Sequence, residues 1–551
     1  MCMPLLYQDA HLQSSGWDSC LQFFEALSAH PNMVRDLYIG RGVVFCRPMP
    51  QTIFKDFDAA LEKCLQSQRE LETVYFNHHE DSALHNLFSE PTGQRILNSL
   101  HEYAKKLHAV SLVNSEGTSF GFKNKIPAFS NLRKLELVGM KQRGHDRVSE
   151  VAEILISCPG LLDLSLSTTG AGADGEVLDL LPKVVEKVKG KIEKRLRLRS
   201  LRLGYGFLPV ESEGIDYLSE VVDLTNLDNL RLDNDHIGVK EVLDDAPIDV
   251  KQFASAYNVS FLTAERLSPD IVELIHVLNT HGQLTRLSLP RFCDTQPRVR
   301  MDRDNQYWDD YWYDEFPGEI PSWSAGQLFS APLEQAGTHW KSILIGDIFL
   351  FNGPQGPIFD CLTRYERLEE LALPMSYELW PRFQSEVMPH LRQLQRLFLV
   401  GHTLACGYVY QGKVLGYEDY VGLSYGHYSS GTEKELEEKV KQGEAEHSIH
   451  VYKWLRGIFM DNRTSIADGD NRALLRYLGL QGMVFTCMLL PGTTPGGNNS
   501  FLVNENGKEW IYDIVDVDED DAARFEAIRE WNEGTARLRA GGDEDPSRNS
   551  H

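Results

Sequence analysis

A short spacing of apolar residues recurs along this chain. It is cleanest in Leu368-x-x-Leu371-x-Leu373 and Leu394-x-x-Leu397-x-Leu399, with apolar side chains at relative positions 1, 4 and 6. Neither the strand period of 2 nor the helix period of 3.6 gives that spacing; a turn feeding a very short strand does. Eleven copies align on the fourth position, at Leu37, Val74, Val110, Leu135, Leu164, Leu201, Leu230, Leu287, Ile343, Leu371 and Leu397. Their intervals run from 25 to 37 residues, apart from two of 57 and 56. Each of those two is about double the short repeats, so each holds a degenerate copy or an insertion.

Between the copies lie apolar stripes at helical spacing, over Phe54 to Leu65, Val148 to Ile156 and Tyr377 to Leu394. Strand, turn, helix and turn, repeated at 25 to 29 residues, is the pattern of leucine-rich repeats. The expected fold is α/β: an irregular leucine-rich-repeat solenoid with short parallel strands on its concave face and helices on its convex face. Burying each repeated apolar side chain contributes about 1.5 to 3 kcal/mol, less than the chain entropy of ordering one repeat, so the repeats must stack.

The solenoid is expected to span 1–405, interrupted by an insertion at about 291–325. A Gly- and Tyr-rich connection with a charged helix, Thr432 to Gln442, follows over 406–449. A small α+β cap is expected over 450–540, with helices at His450 to Phe459, Asn471 to Leu478 and Asp520 to Arg539, and strands at Val484 to Leu490 and Glu509 to Val517. The tail 541–551 is expected to be disordered.

If the strands pair in parallel, the residue after each aligned position falls in one column on the concave face. That column reads Tyr38, Tyr75, Ser111, Glu136, Ser165, Arg202, Arg231, Ser288, Leu344, Ala372 and Phe398. Arg202 and Arg231 then stand about 4.8 Å apart along the sheet, where like charges repel unless something answers them. Two answers are open: an internal carboxylate, Asp233 or Asp163, or an acidic partner. Tyr38, Tyr75 and Phe398 offer apolar contact area towards the ends. The candidate partner-binding residues are thus Tyr38, Tyr75, Glu136, Arg202, Arg231, Asp233 and Phe398. A second candidate is the insertion, where Tyr307, Trp308, Tyr311 and Trp312 stand among six acidic residues; these aromatics either fold back onto the solenoid or form a partner-binding loop.

Composition narrows the function classes. The net charge of −25 opposes binding to nucleic acid, which needs Lys and Arg to neutralise phosphates. The basic run Lys183 to Arg202 spaces Val184, Val185, Val188 and Ile192 along a helix and reads as a solvated face. No run approaches the length of a membrane span, and Met1 to Ala10 lacks the features of a signal peptide, so a cytoplasmic or nuclear protein with no membrane partner is expected. Nine cysteines, odd in number and never in C-x-x-C, suggest neither a disulfide framework nor a zinc site.

Chemical motifs are weak. Gly422-x-Ser424-x-Gly426 and Gly117-x-Ser119-x-Gly121 match the nucleophile-elbow spacing, but neither has a strand running in and a helix leaving. A serine hydrolase using Ser424 is the rival function class. Gly407 to Lys413 resembles a phosphate loop, yet Val414 has no hydroxyl for magnesium and Tyr408, Val409 and Tyr410 suit a strand. His78, His79, Glu80, Asp81 and His85 read as a surface turn rather than a metal site. No metal, cofactor or catalytic residue is assigned.

The repeats resemble those of fungal F-box-like proteins, which share irregular spacing and lack an Asn at the ninth repeat position. Pro4 to Leu12 is similar to the PLLYRDIHL segment that follows the F-box helices in that group, and His30 to Ile39 is similar to its first repeat. The resemblance covers roughly residues 1–400, and nothing upstream of Pro4 forms the F-box itself. It implies a non-enzymatic interaction protein or, as the alternative, a substrate receptor of a cullin-based ubiquitin ligase whose F-box lies outside this sequence.

Overall fold

The computed structural model describes residues 9–12, 17–39, 51–78, 92–114, 131–141, 147–169, 180–209, 216–233, 248–264, 269–289, 339–345, 356–374, 380–400, 408–410, 413–415, 455–466, 474–480, 483–489, 500–505 and 508–516. The chain divides into two compact units. The first comprises Met1–Glu265 with Val277–Gln283, and the second Arg266–His276 with Leu284–His551.

Among the described residues of the first unit nine strands pair in parallel and in chain order: β1 (Asp9–Leu12), β2 (Asp36–Ile39), β3 (Thr73–His78), β4 (Ala109–Asn114), β5 (Lys134–Lys141), β6 (Asp163–Thr169), β7 (Ser200–Gly204), β8 (Asn229–Asp233) and β9 (Phe261–Ala264). The aligned residues are register partners throughout: Leu37, Val74, Val110, Leu135, Leu164, Leu201 and Leu230 form one continuous row. The structure extends that row at both ends, to Ala10 and to Leu262. Leu262 is the copy concealed in the interval of 57 residues; its rung is Val259-x-x-Leu262-x-Ala264, too weakly apolar to stand out.

The second unit continues the same grammar with β10 (Arg286–Leu289), β11 (Ser342–Ile345), β12 (Glu370–Pro374), β13 (Arg396–Val400) and β16 (Tyr477–Leu480). Leu287 pairs directly with Ile343, so the interval of 56 residues is an insertion between adjacent strands. Leu478 is a further rung, register partner of Leu397 and beyond residue 405, where the sequence reading ends the ladder. The expected helix Asn471 to Leu478 is therefore a strand in its last two residues. Ala473, Leu474, Tyr477 and Leu478 carry a helical stripe, but Leu475-x-x-Leu478-x-Leu480 is the repeat spacing, and pairing with β13 decides between them. The sheet then turns antiparallel through β17 (Met483–Leu489), β19 (Lys508–Asp516) and β18 (Ser500–Glu505), close to the two strands expected there. The helix expected at His450 to Phe459 occupies 455–466.

A repeated hydrogen bond locks the register. The carbonyl of the residue before one strand accepts N–H groups from two successive residues entering the next: Arg35 O from Glu72 and Thr73, then Glu72 O from His108 and Ala109, then His108 O from Arg133 and Lys134. The pattern recurs to Gln395 O, which takes Arg476 and Tyr477 at 2.8 and 3.1 Å. No side chain is involved, so degenerate rungs can hold the register as well as leucine-rich ones.

The core lies between strands and helices. Residues at positions 1, 4 and 6, such as Leu198, Leu201 and Leu203, are buried, as are the inner faces of the intervening helices, among them Leu61, Cys64 and Leu65 on Gln51–Ser67 and Val184, Val185 and Val188 on Leu181–Val188. Successive helices in the first unit pack side by side and cover one face of the ladder. The stripe over Tyr377 to Leu394 is split into a helix, Trp380–Glu386, and a 3-10 turn, Met388–His390, because Pro389 has no N–H to continue the helix. Gln68, fully buried, joins two repeats: it accepts from Val34 N at 3.2 Å and donates to Leu27 O at 2.7 Å and His30 O at 3.2 Å.

Candidate partner-binding face

Strand alternation sends the residue after each buried leucine to the face away from the helices. In the first unit that row is Tyr38, Tyr75, Ser111, Glu136, Ser165, Arg202, Arg231 and Thr263, each the register partner of the next. Tyr38 and Tyr75 sit ring against ring, centroids 6.0 Å apart and planes inclined at 42°. Glu136 accepts from Ser111 Oγ and lies 3.5 Å from Lys134 Nζ. Its burial works to raise the carboxyl pKa, but Lys134, the Ser111 hydrogen bond and the charge of Arg202 together hold it below its ordinary value, so Glu136 is ionised. Asp163 goes the other way: burial and the neighbouring charge of Glu136 raise it against the pull of Lys134 and Arg199.

The repulsion expected between Arg202 and Arg231 is answered internally. Arg231 Nε donates to Asp233 Oδ1 at 2.7 Å and Arg202 Nε donates to Oδ2 of the same carboxylate. The other candidate answer, Asp163, is instead the register partner of Lys134 and Ser200. One carboxylate thus accepts from both guanidiniums. Gly204 is the register partner of Asp233, and a Cβ there would stand 2.5 Å from Ser167 Cβ and 3.4 Å from Asp233 O, so the rung beside the cluster has no room for a side chain.

In this row Ser111, Ser165, Arg202 and Thr263 are buried and Tyr38, Tyr75, Glu136 and Arg231 half-buried, whereas in the second unit the corresponding row is buried throughout. Ser288, Leu344, Ala372 and Phe398 are all buried, Phe398 at 3% exposure. The ring lies over Gly479 on the next strand, where a Cβ would overlap it. Phe398 thus presents no contact area, contrary to the sequence reading. The candidate face consists of Tyr38, Tyr75, Glu136, Arg202, Arg231 and Asp233, to which the structure adds Lys134 and Ser111. The spacing Lys134-x-Glu136, two residues on one strand face, was the available signal for the first of these.

Tyr307, Trp308, Tyr311 and Trp312 lie outside the described residues, as do Ser424, Ser119 and most of the His78 to His85 cluster. The phosphate-loop spacing falls on two antiparallel strands, β14 (Tyr408–Tyr410) and β15 (Lys413–Leu415), with Tyr410 opposite Lys413. Among the described residues no three His, Cys, Asp or Glu side chains are grouped to hold a metal ion. No described helix is long and apolar enough to cross a membrane. Cys64, Cys158 and Cys361 are buried thiols, and burial pushes Cys64 up to about 12.

No family model and no curated protein sequence matches the chain. Among solved structures it is similar to the leucine-rich repeat-containing protein LegL7 from Legionella pneumophila, at 14% identity over 62% of this chain and 86% of that one, with a TM-score of 0.31. The leucine-rich-repeat character of the chain rests on its own 1-4-6 spacing and in-register parallel rungs rather than on that likeness.

Proposed function

We propose that the protein is a non-enzymatic interaction scaffold that engages a protein partner through the strand face of its first unit. One observation carries this reading: over seven successive rungs, Tyr38, Tyr75, Glu136, Arg202 and Arg231 stand on one face as an aromatic pair, a held carboxylate and a held pair of guanidiniums. Side chains already fixed by neighbours lose little entropy on binding, and Tyr and Arg are the residues that most often dominate interface energy. Peptide-display selection against the whole chain tests the reading. Selected binders should be lost on Tyr75→Ala and Arg231→Glu and kept on Lys63→Glu and Glu153→Lys, which change exposed positions on the helical side. Binders indifferent to the first pair would remove the proposal.

A receptor role with a cullin adaptor is favoured by one further observation: the two segments that resemble F-box-like proteins are neighbours, since Asp9–Leu12 is the first rung and pairs with Asp36–Ile39. Co-purification with the adaptor tests it, and an adaptor that does not bind this protein in any form would remove it.

A further inference from the structure

The basic run Lys183 to Arg202 does not lie along one helix face. Its helix, Leu181–Val188, ends before Ile192, and Gly190 turns the chain in the left-handed region at φ 75°. Five residues join helix to strand between Ser67 and Thr73, between Tyr103 and Ala109 and between Ser157 and Asp163; eleven join Val188 to Ser200. The longer connection carries Lys189, Lys191, Lys194, Arg195, Arg197 and Arg199, with Glu193 its one acid.

This connection is held in place. Leu196 forms a parallel bridge with Val222: its N–H donates to Val221 O and its carbonyl accepts from Asp223 N, both at 2.8 Å. Leu196 and Leu198 are fully buried, while Arg195, Arg197 and Arg199 are exposed, as alternation along an extended chain requires. Lys106 is answered by Glu70, Lys134 by Glu136 and Lys189 by Glu220. Among the described residues Lys191, Lys194, Arg195 and Arg197 have no ion-pair partner. Asp223, next along from the bridge, accepts from Thr225 Oγ1 and Asn226 Nδ2 instead, each at 2.6 Å. Cations near a helix C-terminus are stabilised by its carbonyls, which accounts for Lys187 and Lys189 but not for Arg195 and Arg197, well past the last turn.

We propose that this strip binds an acidic segment of a partner protein, whose carboxylates are taken by Arg195 and Arg197 with Lys194 beside them. A guanidinium sets two N–H donors against the two oxygens of one carboxylate, and these two are on fixed backbone with no internal anion to displace. The rest of the chain selects a short occupant. Its net charge is −25, and exposed charges are screened beyond about 8 Å at physiological salt, so a short acidic segment meets the strip alone while a long polyanion such as nucleic acid also meets the acidic remainder. The strip lies outside the row from Tyr38 to Thr263, so the inference stands apart from the strand-face reading.

The test uses the full chain and three fluorescein-labelled probes read by anisotropy at low and at physiological salt: a heptapeptide of alternating glutamate and serine, the same peptide with glutamine for glutamate, and an oligothymidylate of equal charge. The glutamate peptide should bind and the glutamine peptide should not. Arg195→Gln with Arg197→Gln should weaken the glutamate peptide about tenfold, the sum of two exposed ion pairs. Lys63→Gln with Arg69→Gln removes as much charge from exposed positions elsewhere in the first unit and should change binding less than about twofold. An unchanged urea midpoint in the arginine variant shows that its loss of binding is not unfolding, and the comparison of probes on the unaltered protein needs no variant. No binding of the glutamate peptide, equal binding of the glutamine peptide, equal losses in the two double variants, or tighter binding of the oligothymidylate overturns the inference. None of these outcomes touches Tyr75 or Arg231, whose substitution tests the strand face separately.

Discussion

The ring of Phe398 occupies the place a side chain at Gly479 would take. The two are register partners on β13 and β16, and a Cβ at position 479 would overlap Phe398 Cδ2. Gly479→Ala therefore overpacks the second unit. Such changes cost typically 1 to 3 kcal/mol, and about 2 to 3 kcal/mol is expected here because the ring must leave its seat. Urea unfolding measures it, and Phe398→Leu in the same chain should recover part of the loss. An unchanged midpoint in Gly479→Ala would contradict the packing.

Asp233 is the sole described carboxylate hydrogen-bonded to both Arg202 and Arg231. Asp233→Asn removes the carboxylate that the two adjacent guanidiniums share. Breaking a buried pair costs about 3 to 5 kcal/mol, but these side chains retain 11 to 16% exposure and water screens part of the repulsion, so about 1 to 3 kcal/mol is expected. Adding Arg231→Met should restore most of it. Full additivity of the two changes would show that the charges do not interact.

Acid titration should separate two carboxylates on the strand face. The pKa of Glu136 in the fold lies below its ordinary 4.5, so its ionised form contributes stability above that value which is lost as pH falls through the folded pKa. Glu136→Gln should therefore lose stability at pH 7 and lose less on acidification below about pH 4.5. Asp163 is raised above its ordinary 3.8, so its charge opposes folding at neutral pH and the penalty fades as pH falls through the raised value. Asp163→Asn should be stabilising or neutral at pH 7. The opposite signs in unfolding experiments across pH 3 to 7 would refute the assignment.

Gln68 ties the turn after Trp17–Ala29 to the helix Gln51–Ser67 through Val34 N, Leu27 O and His30 O. Gln68→Met keeps the volume and removes all three bonds, taking the acceptor from Val34 N while Leu27 O keeps the N–H of His30. A buried unsatisfied group costs about 1 to 3 kcal/mol, and a loss in that range is expected. Amide hydrogen exchange should show the loss first at Val34 and its neighbours; uniform exchange across the first unit would not fit.

The rungs were legible in the order of residues alone. Apolar side chains at positions 1, 4 and 6 can all be buried only if each copy starts a strand, so eleven register positions, and the row beside them, follow from spacing. Where the weak rungs stand does not. Phe261–Ala264 and Tyr477–Leu480 are strands because a carbonyl on the previous rung takes two successive backbone N–H groups at their entry, a bond that has no side-chain signature. Folding in three dimensions also settled which side chains of the row are withdrawn. Asp233 answers two arginines because the strand register brings a third charged residue within reach, and Phe398 is withdrawn because Gly479, on the next rung, leaves a ring-sized space beside it. Local spacing fixes which way a side chain points; only packing fixes what it meets there.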